Sequence, residues 1–325
     1  MPKGSSKKPA RKGGRKKTGR RIGLFCLFLF VAATLATGFY FMVLYPGASQ
    51  KIAVPTLSDQ AKKKPLPQKA EPLPSHIAPL YEEPTLPHQA PPVAIRAKRA
   101  QKRALTGNPL VAIVIDDMGN RQDTGRALIA LDLPFTFAFL PFTPFSEELQ
   151  REAKARGCDI LLHLPLEPVD PKWNPGPGAL NTHMDPEAMQ AIFQKDRQAV
   201  PTAIGINNHM GSRFTADPKS MRALLTFVRA HNLFFLDSVT ASDSVAYDLA
   251  REMGVKAERR TVFLDNDQNP EKIRAQLDLL IRLAEEHGQA VGIGHPYPAT
   301  VEALRRYQTQ LRTRTEMVGI HRLVH

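Results

Sequence analysis

The chain has 325 residues, enough for one large domain or two small ones, and a formal net charge of +13. That charge is uneven: residues 1–21 hold ten Lys or Arg and no acid, residues 46–108 carry a net +6, and residues 109–325 are left at net −3. The carboxy-terminal part therefore lacks a basic footprint for nucleic acid, and the only two cysteines, Cys26 and Cys158, exclude a disulfide framework and a cysteine-based metal site.

Residues 1–21 read as a basic cytoplasmic tail. Ile22–Tyr45 follow with no charge over 24 positions, long enough to cross a hydrocarbon core of about 30 Å as a helix. The basic block lies wholly on the amino-terminal side, which predicts a single-pass membrane anchor with its N-terminus in the cytoplasm and the rest of the chain in the periplasm or outside the cell. A cleaved signal peptide is the competing reading, with small residues over Ala33–Gly38 available for cleavage. Residues 46–108 contain eleven prolines, a single aromatic (Tyr81) and the run Lys62–Lys64. Such a segment cannot bury enough apolar surface to fold, so it reads as an extended, disordered linker; a proline stretch for a partner is the alternative.

From Pro109 onward, apolar runs alternate with amphipathic ones. Strands are predicted over Leu110–Asp116, Phe135–Leu140, Asp159–Leu164, Ala203–Asn208, Leu233–Asp237, Glu258–Leu264 and Ala290–Gly294. Helices are predicted over Asp123–Leu131, Ser146–Arg156, Pro186–Val200, Pro218–His231, Ser244–Met253, Pro270–His287 and Thr300–Arg312. Asp185-Pro186, Asp217-Pro218 and Asn269-Pro270 are helix-start signals, and Gly157, Gly254 and Gly288 follow helices where left-handed backbone ends them. Seven β–α pairs imply an α/β fold, a parallel (β/α) barrel of about seven strands that is incomplete. The connection Pro168–Met184 is too long and too rich in Pro and Gly for a simple link, and should overhang the rim at the end of the strand before it.

Several strand runs end in a carboxylate or an imidazole: Asp116 and Asp117 after VAIVI, His163 after DILL, His209 after GINN, Asp237 after LFFL and His295 after VGIG. In a parallel sheet the carboxyl ends of strands share one rim, so these residues can meet although they are distant in sequence. Mixed Asp and His donors on one rim point to a divalent metal and hydrolytic chemistry. Of the Asp pair, one can ligate a cation while the other accepts a proton; the alternative is a helix cap beside a solvated carboxylate. Glu167 is placed to orient His163, or is a surface charge. Asp237 binds substrate hydroxyls or orients a base, or else caps the next helix. His295 suits a proton donor near neutrality. Trp173, on the overhanging connection, stacks on a sugar ring or anchors its own loop.

Together VAIVIDDMG, LLHLPLEP, GINNHMGSRFT, FFLDS and GHPYPAT make residues 109–325 resemble the divergent polysaccharide deacetylases, the YibQ-like group related to the NodB-type carbohydrate esterases. The resemblance implies a distorted (β/α) barrel and a divalent metal, usually zinc, held by one Asp and two His. It implies Asp116 as catalytic base, Asp117, His163 and His209 as metal ligands, and His295 as the acid. Two features depart from the wider superfamily: the second His of its metal-binding pair is missing, with Glu167 four positions after His163, and its Arg-Pro-Pro-Tyr motif is not evident.

The expected function is an extracytoplasmic metal-dependent deacetylase or carbohydrate esterase on an acetylated envelope polysaccharide, with Asp237, Trp173, Asn208 and Tyr297 as substrate contacts. A catalytically silent, membrane-tethered module binding a glycan or a partner is one alternative. A metal phosphoesterase, with Arg213 as its phosphate contact, is another. Nothing in the sequence sets an oligomeric state.

Overall fold

A computed structural model describes residues 107–325. The expected cytoplasmic tail and anchor lie outside the described residues, as does the linker up to residue 106. Among the described residues, no helix is long and apolar enough to cross a membrane.

The elements follow in the order β1 (Leu110–Met118), α1 (Gln122–Ile129), β2 (Thr136–Phe139), α2 (Ser146–Ala155), β3 (Asp159–Leu166), α3 (Pro186–Ala199), β4 (Gly205–Met210), α4 (Pro218–Ala230) and β5 (Phe234–Asp237). They continue with α5 (Ala246–Glu252), β6 (Ala257–Arg259), β7 (Val262–Phe263), α6 (Pro270–His287), β8 (Gln289–Gly294), α7 (Pro298–Arg314), β9 (Glu316–Met317) and a 3-10 turn at Ile320–Arg322. The sheet runs β6-β5-β4-β3-β2-β1-β8-β7, with β9 beside the start of β1. All its strand pairs are parallel. It curls into a barrel left open between β6 and β7. The predicted single strand Glu258–Leu264 is therefore two strands. Residues 260 and 261 cross from one edge of the sheet to the other, because β6 pairs with β5 while β7 pairs with β8.

The helix-start signals act as read. The side chains of Asp185, Asp217 and Asn269 accept hydrogen bonds from the backbone N–H of Ala188, Ser220 and Glu271, each followed by a proline in the first turn. Helix α6 buries Ile273, Leu277, Leu280, Ile281 and Ala284, the i, i+4, i+7, i+8 stripe of an amphipathic helix. It stops at Gly288, whose φ of 89° is the left-handed ending a side chain would oppose. Truncating Leu277 to Ala there would cost about 2–5 kcal/mol.

Side-chain alternation along the strands separates two cores. One face of the sheet packs Val111, Ile113, Ile115, Ile160, Leu162 and Leu164 under the helices. The barrel interior holds Ala112, Val114, Leu161, Leu236, Val291 and Ile293, and its lower end is closed by Ile320, Leu323 and Val324 from the chain's last turn. This plug was not anticipated from the sequence. Two residues further along each strand, the inward positions become Asp116 on β1, His163 on β3 and, just beyond β8, His295. The period of two places polar groups directly above the apolar interior.

Candidate metal centre and active site

The two adjacent aspartates reach one mouth through a defect in β1. The pairing of β1 with β2 shifts register between Ile115 and Met118, and Asp117 adopts φ 52°. A regular strand would send neighbouring side chains to opposite faces; a bulge re-aims one of them. Met210 at the end of β4 and Val239 after β5 also sit at positive φ, 51° in each case. Three such residues on one rim are the kind of backbone strain that surrounding structure holds in place at functional sites. After Met210, Gly211 has φ 88°, and a Cβ there would lie 2.7 Å from that of Leu166, so this turn accepts only glycine.

Asp117, His163 and His209, all buried, bring one ligand atom each to within 4.8 Å of one another. Asp117 Oδ1 lies 3.2 Å from His163 Nε2 and 3.0 Å from His209 Nδ1. Burial alone would raise the Asp117 carboxyl. The His209 imidazole, with His163 and His295 close by, instead holds it far below the usual carboxylate range.

Asn207 fixes the chemistry of His163. Its Nδ2 donates to Asp116 Oδ1 at 2.8 Å and to Ser238 Oγ at 3.1 Å, which orients the amide. Its Oδ1 must then accept from His163 Nδ1, 3.0 Å away. With the proton on Nδ1, His163 turns the Nε2 lone pair toward Asp117. Either a second proton or a cation must stand between those two atoms, and one cation answers Asp117, His163 and His209 together. Tetrahedral coordination with bonds near 2.1 Å separates donor atoms by about 3.4 Å, within a few tenths of an ångström of the two distances from Asp117 Oδ1. One carboxylate and two imidazoles make a three-residue donor set of the kind catalytic zinc sites use. Asp116 Oδ2 is 3.9 Å from His163 Nε2, beside this centre rather than within it.

His295 enters the mouth from the end of β8, the strand beside β1. Asp265 Oδ1 accepts from His295 Nδ1 at 2.8 Å, while Asp265 Oδ2 accepts from the His295 backbone N–H and from Thr300 Oγ1, both at 2.6 Å. The ring stacks on Phe263 (centroids 5.4 Å apart, planes at 20°) and meets Tyr297 at 5.3 Å. Donation of Nδ1–H to Asp265 leaves Nε2 as the atom that can pass a proton to a substrate. His295 is close enough to add to the field that lowers Asp117.

Contacts with neighbouring loops and rings place the remaining sequence-predicted residues. Asp237 accepts from the Val239 N–H and from Ser244 Oγ, both at 2.8 Å, and organises the β5–α5 loop, with burial raising its carboxyl. Asn208, on the opposite face of β4 from Asn207, bonds to the Met210 carbonyl, Thr240 Oγ1 and the Ser238 N–H. Glu167 does not orient His163: its Oε2 accepts from the Thr182 N–H and Oγ1, both at 2.7 Å, and so pins the long β3–α3 connection. Arg213 donates to the Val169 carbonyl and pairs with Glu167, so it too holds this loop and is not directed at the metal cluster. Trp173 is half-buried within the loop, its backbone N–H donating to the Asp170 carbonyl. Tyr297 is brought against His295.

Asn207 and Asp265 were not recognised as site residues. Asp265 ends the run Val262–Leu264 by the same rule that picked out Asp117 and His295. Asn207 carried no signal beyond being a polar residue inside a buried strand.

Residues 113–324 match the family described as divergent polysaccharide deacetylase. An uncharacterized protein of Haemophilus influenzae is 37% identical over 213 residues, covering 66% of this chain and 76% of that protein. The Escherichia coli protein YibQ, also uncharacterized, is 38% identical over 196 residues, covering 60% of this chain and 61% of its own length. Among solved structures, an uncharacterized protein of Agrobacterium tumefaciens superposes with a TM-score of 0.63 at 26% identity, over 67% of this chain and 89% of that one. With the curled parallel sheet and the buried Asp-His-His cluster, these matches settle the family: the chain belongs to the divergent polysaccharide deacetylases.

Proposed function

We propose that the domain removes acetyl groups from an envelope polysaccharide by metal-assisted hydrolysis. One observation carries this reading. Asp117, His163 and His209 converge within one ligand shell, with Asp116 on one side and His295 in the same mouth. When bound by Asp117 Oδ1, His163 Nε2 and His209 Nδ1, a divalent cation, zinc for this donor set, supplies Lewis acidity to the acyl carbonyl and to water.

The chain's own groups move the protons. Asp116, oriented by the Asn207 amide, takes a proton from water as its oxygen bonds to the acyl carbon. His295 Nε2 gives a proton to the leaving nitrogen or oxygen as the acyl bond breaks, and Asp265 stabilises the ring's charged form. Acetate and a free amine or hydroxyl result. His209 takes the place of the second histidine absent from LLHLPLEP; that absence and the missing Arg-Pro-Pro-Tyr motif are what favour a silent binding module.

The topology proposed with this function is a cytoplasmic N-terminus, an anchor over Ile22–Tyr45 and an extracytoplasmic domain. It is supported by the uncharged run and the one-sided basic block. The test uses the full chain loaded with zinc. Acetate release is measured from chitooligosaccharides, peptidoglycan and acetylated xylan, beside an Asp116→Asn variant. Release from at least one substrate, lost in the variant, is expected; release from none above that variant would sink the hydrolase reading.

A further inference from the structure

The barrel has one seam, and one side chain closes it at the mouth. Strands β6 and β7 flank the gap and do not pair with each other. The two residues joining them bond to opposite sides: the Arg260 N–H to Asp237 O on β5, and the Thr261 N–H to Val291 O on β8. Where the ladder is missing, side chains join this short backbone crossing in setting how far apart the flanks stand. Arg260 Nε donates to the Ser238 carbonyl at 2.6 Å and Nη2 to the Val239 carbonyl at 2.8 Å, so both bonds hold the carboxyl end of β5. The same guanidinium lies 4.6 Å over the Phe263 ring on the far flank, and Phe263 stacks on His295.

These contacts join opposite flanks of the mouth. On the β5 side, Ser238 Oγ receives the Asn207 amide, which holds His163 on β3 and reaches across to Asp116 on β1, the strand paired with β8. On the β8 side stands His295 with Asp265. We propose that Arg260 is a positioning residue that clamps the open seam and sets where His295 stands relative to the metal-binding histidines carried by β3 and β4. It acts through Ser238, Val239 and Phe263. Lysine is a poor replacement, because an ammonium group lacks the planar fork that serves two carbonyls while lying flat on a ring.

Because the role rests on the hydrolase reading, the test separates the two. Full-chain wild type, Arg260→Ala and Arg260→Lys are loaded with zinc and assayed on an acetylated chitooligosaccharide and on para-nitrophenyl acetate, whose leaving group needs no proton. A misplacement of about 1 Å costs on the order of 100-fold. The expected result for Arg260→Ala is a loss of that size in kcat on the amide, with KM and zinc affinity unchanged and less than a threefold loss on the aryl ester. Arg260→Lys falls between. Phe263→Leu, which breaks the stack and leaves the carbonyl bonds, shows the same substrate-selective loss. Equal losses on both substrates, a loss confined to KM, or no loss would overturn the proposal. If the wild type hydrolyses neither substrate, the hydrolase reading has failed, and amide exchange then decides the clamp. Thr261 and Leu264 N–H, which bond across to β8, should exchange at least tenfold faster in Arg260→Ala while β3 and β4 stay protected; unchanged exchange overturns it.

Discussion

Replacing Asn207 by Ala tests whether one buried amide organises the metal centre. The change removes the acceptor for His163 Nδ1 and the donor to Asp116 Oδ1 and Ser238 Oγ, all inside fully buried surroundings. An orphaned buried imidazole N–H and an orphaned carboxylate oxygen cost about 1–3 kcal/mol each, so folding stability should fall by roughly 2–6 kcal/mol. Freed from its lock, His163 can carry its proton on Nε2 and present no lone pair; loss of such an orienting partner weakens metal binding by about 10–100-fold. Asn208→Ala is the matched control. Asn208 is the next residue, equally buried, and also makes three hydrogen bonds, but to the loop on the other face of β4. Urea unfolding of the metal-free proteins should show similar losses for both variants. Zinc competition against a chromophoric chelator should show weakened binding for Asn207→Ala alone. Equal zinc affinities in the two variants would refute the idea that Asn207 acts through His163.

Saturating zinc at about 1,000 times its Kd should add about 4 kcal/mol to the wild type, which raises the melting midpoint by roughly 8–16 °C for a domain of this size. His209→Ala should abolish the shift, and a shift that survives would place the ion elsewhere. Phe142 is 52% exposed and held at φ 59°; Phe142→Gly should therefore stabilise the fold by about 1 kcal/mol, and a urea midpoint that falls would contradict strain there. Asp196 on α3 is fully buried against Gly178 of the overhanging loop, neither carboxylate oxygen is hydrogen bonded, and burial pushes its pKa up to about 8. The folded pKa lies above the unfolded one, so this group's contribution is complete below about pH 4 and is lost as pH rises toward 8, at about 1.4 kcal/mol per pH unit. Asp196→Asn should flatten that slope between pH 5 and 8; identical slopes in variant and wild type would show the acid is already ionised.

Much of the site could be read along the strands because a buried parallel strand alternates strictly. Ala112, Val114 and Asp116 face inward by counting in twos, and an apolar run that ends in Asp or His marks where the interior meets solvent. The same count fails at Asp117, which a regular strand would turn away; the register shift and the positive φ that bring it back arise from pairing with β2 and from neighbours that hold the strained backbone. Glu258–Leu264 fails for a related reason. Its composition is that of one strand, and its division between two sheet edges follows from where a curled sheet runs out of partners.

The sequence by itself determined the alternation of strands and helices, the caps that start α3, α4 and α6, and the kinds of donor available for a cation, because these depend on local backbone preference and on side-chain period. Tertiary structure alone decided that Glu167 pins the β3–α3 connection instead of orienting His163, that Asn207 sets the proton on His163, that Asp265 backs His295, and that Arg260 spans the seam. Each of those choices is a distance between residues far apart in the chain, fixed by strand register and sheet curvature. No local pattern encodes such a distance.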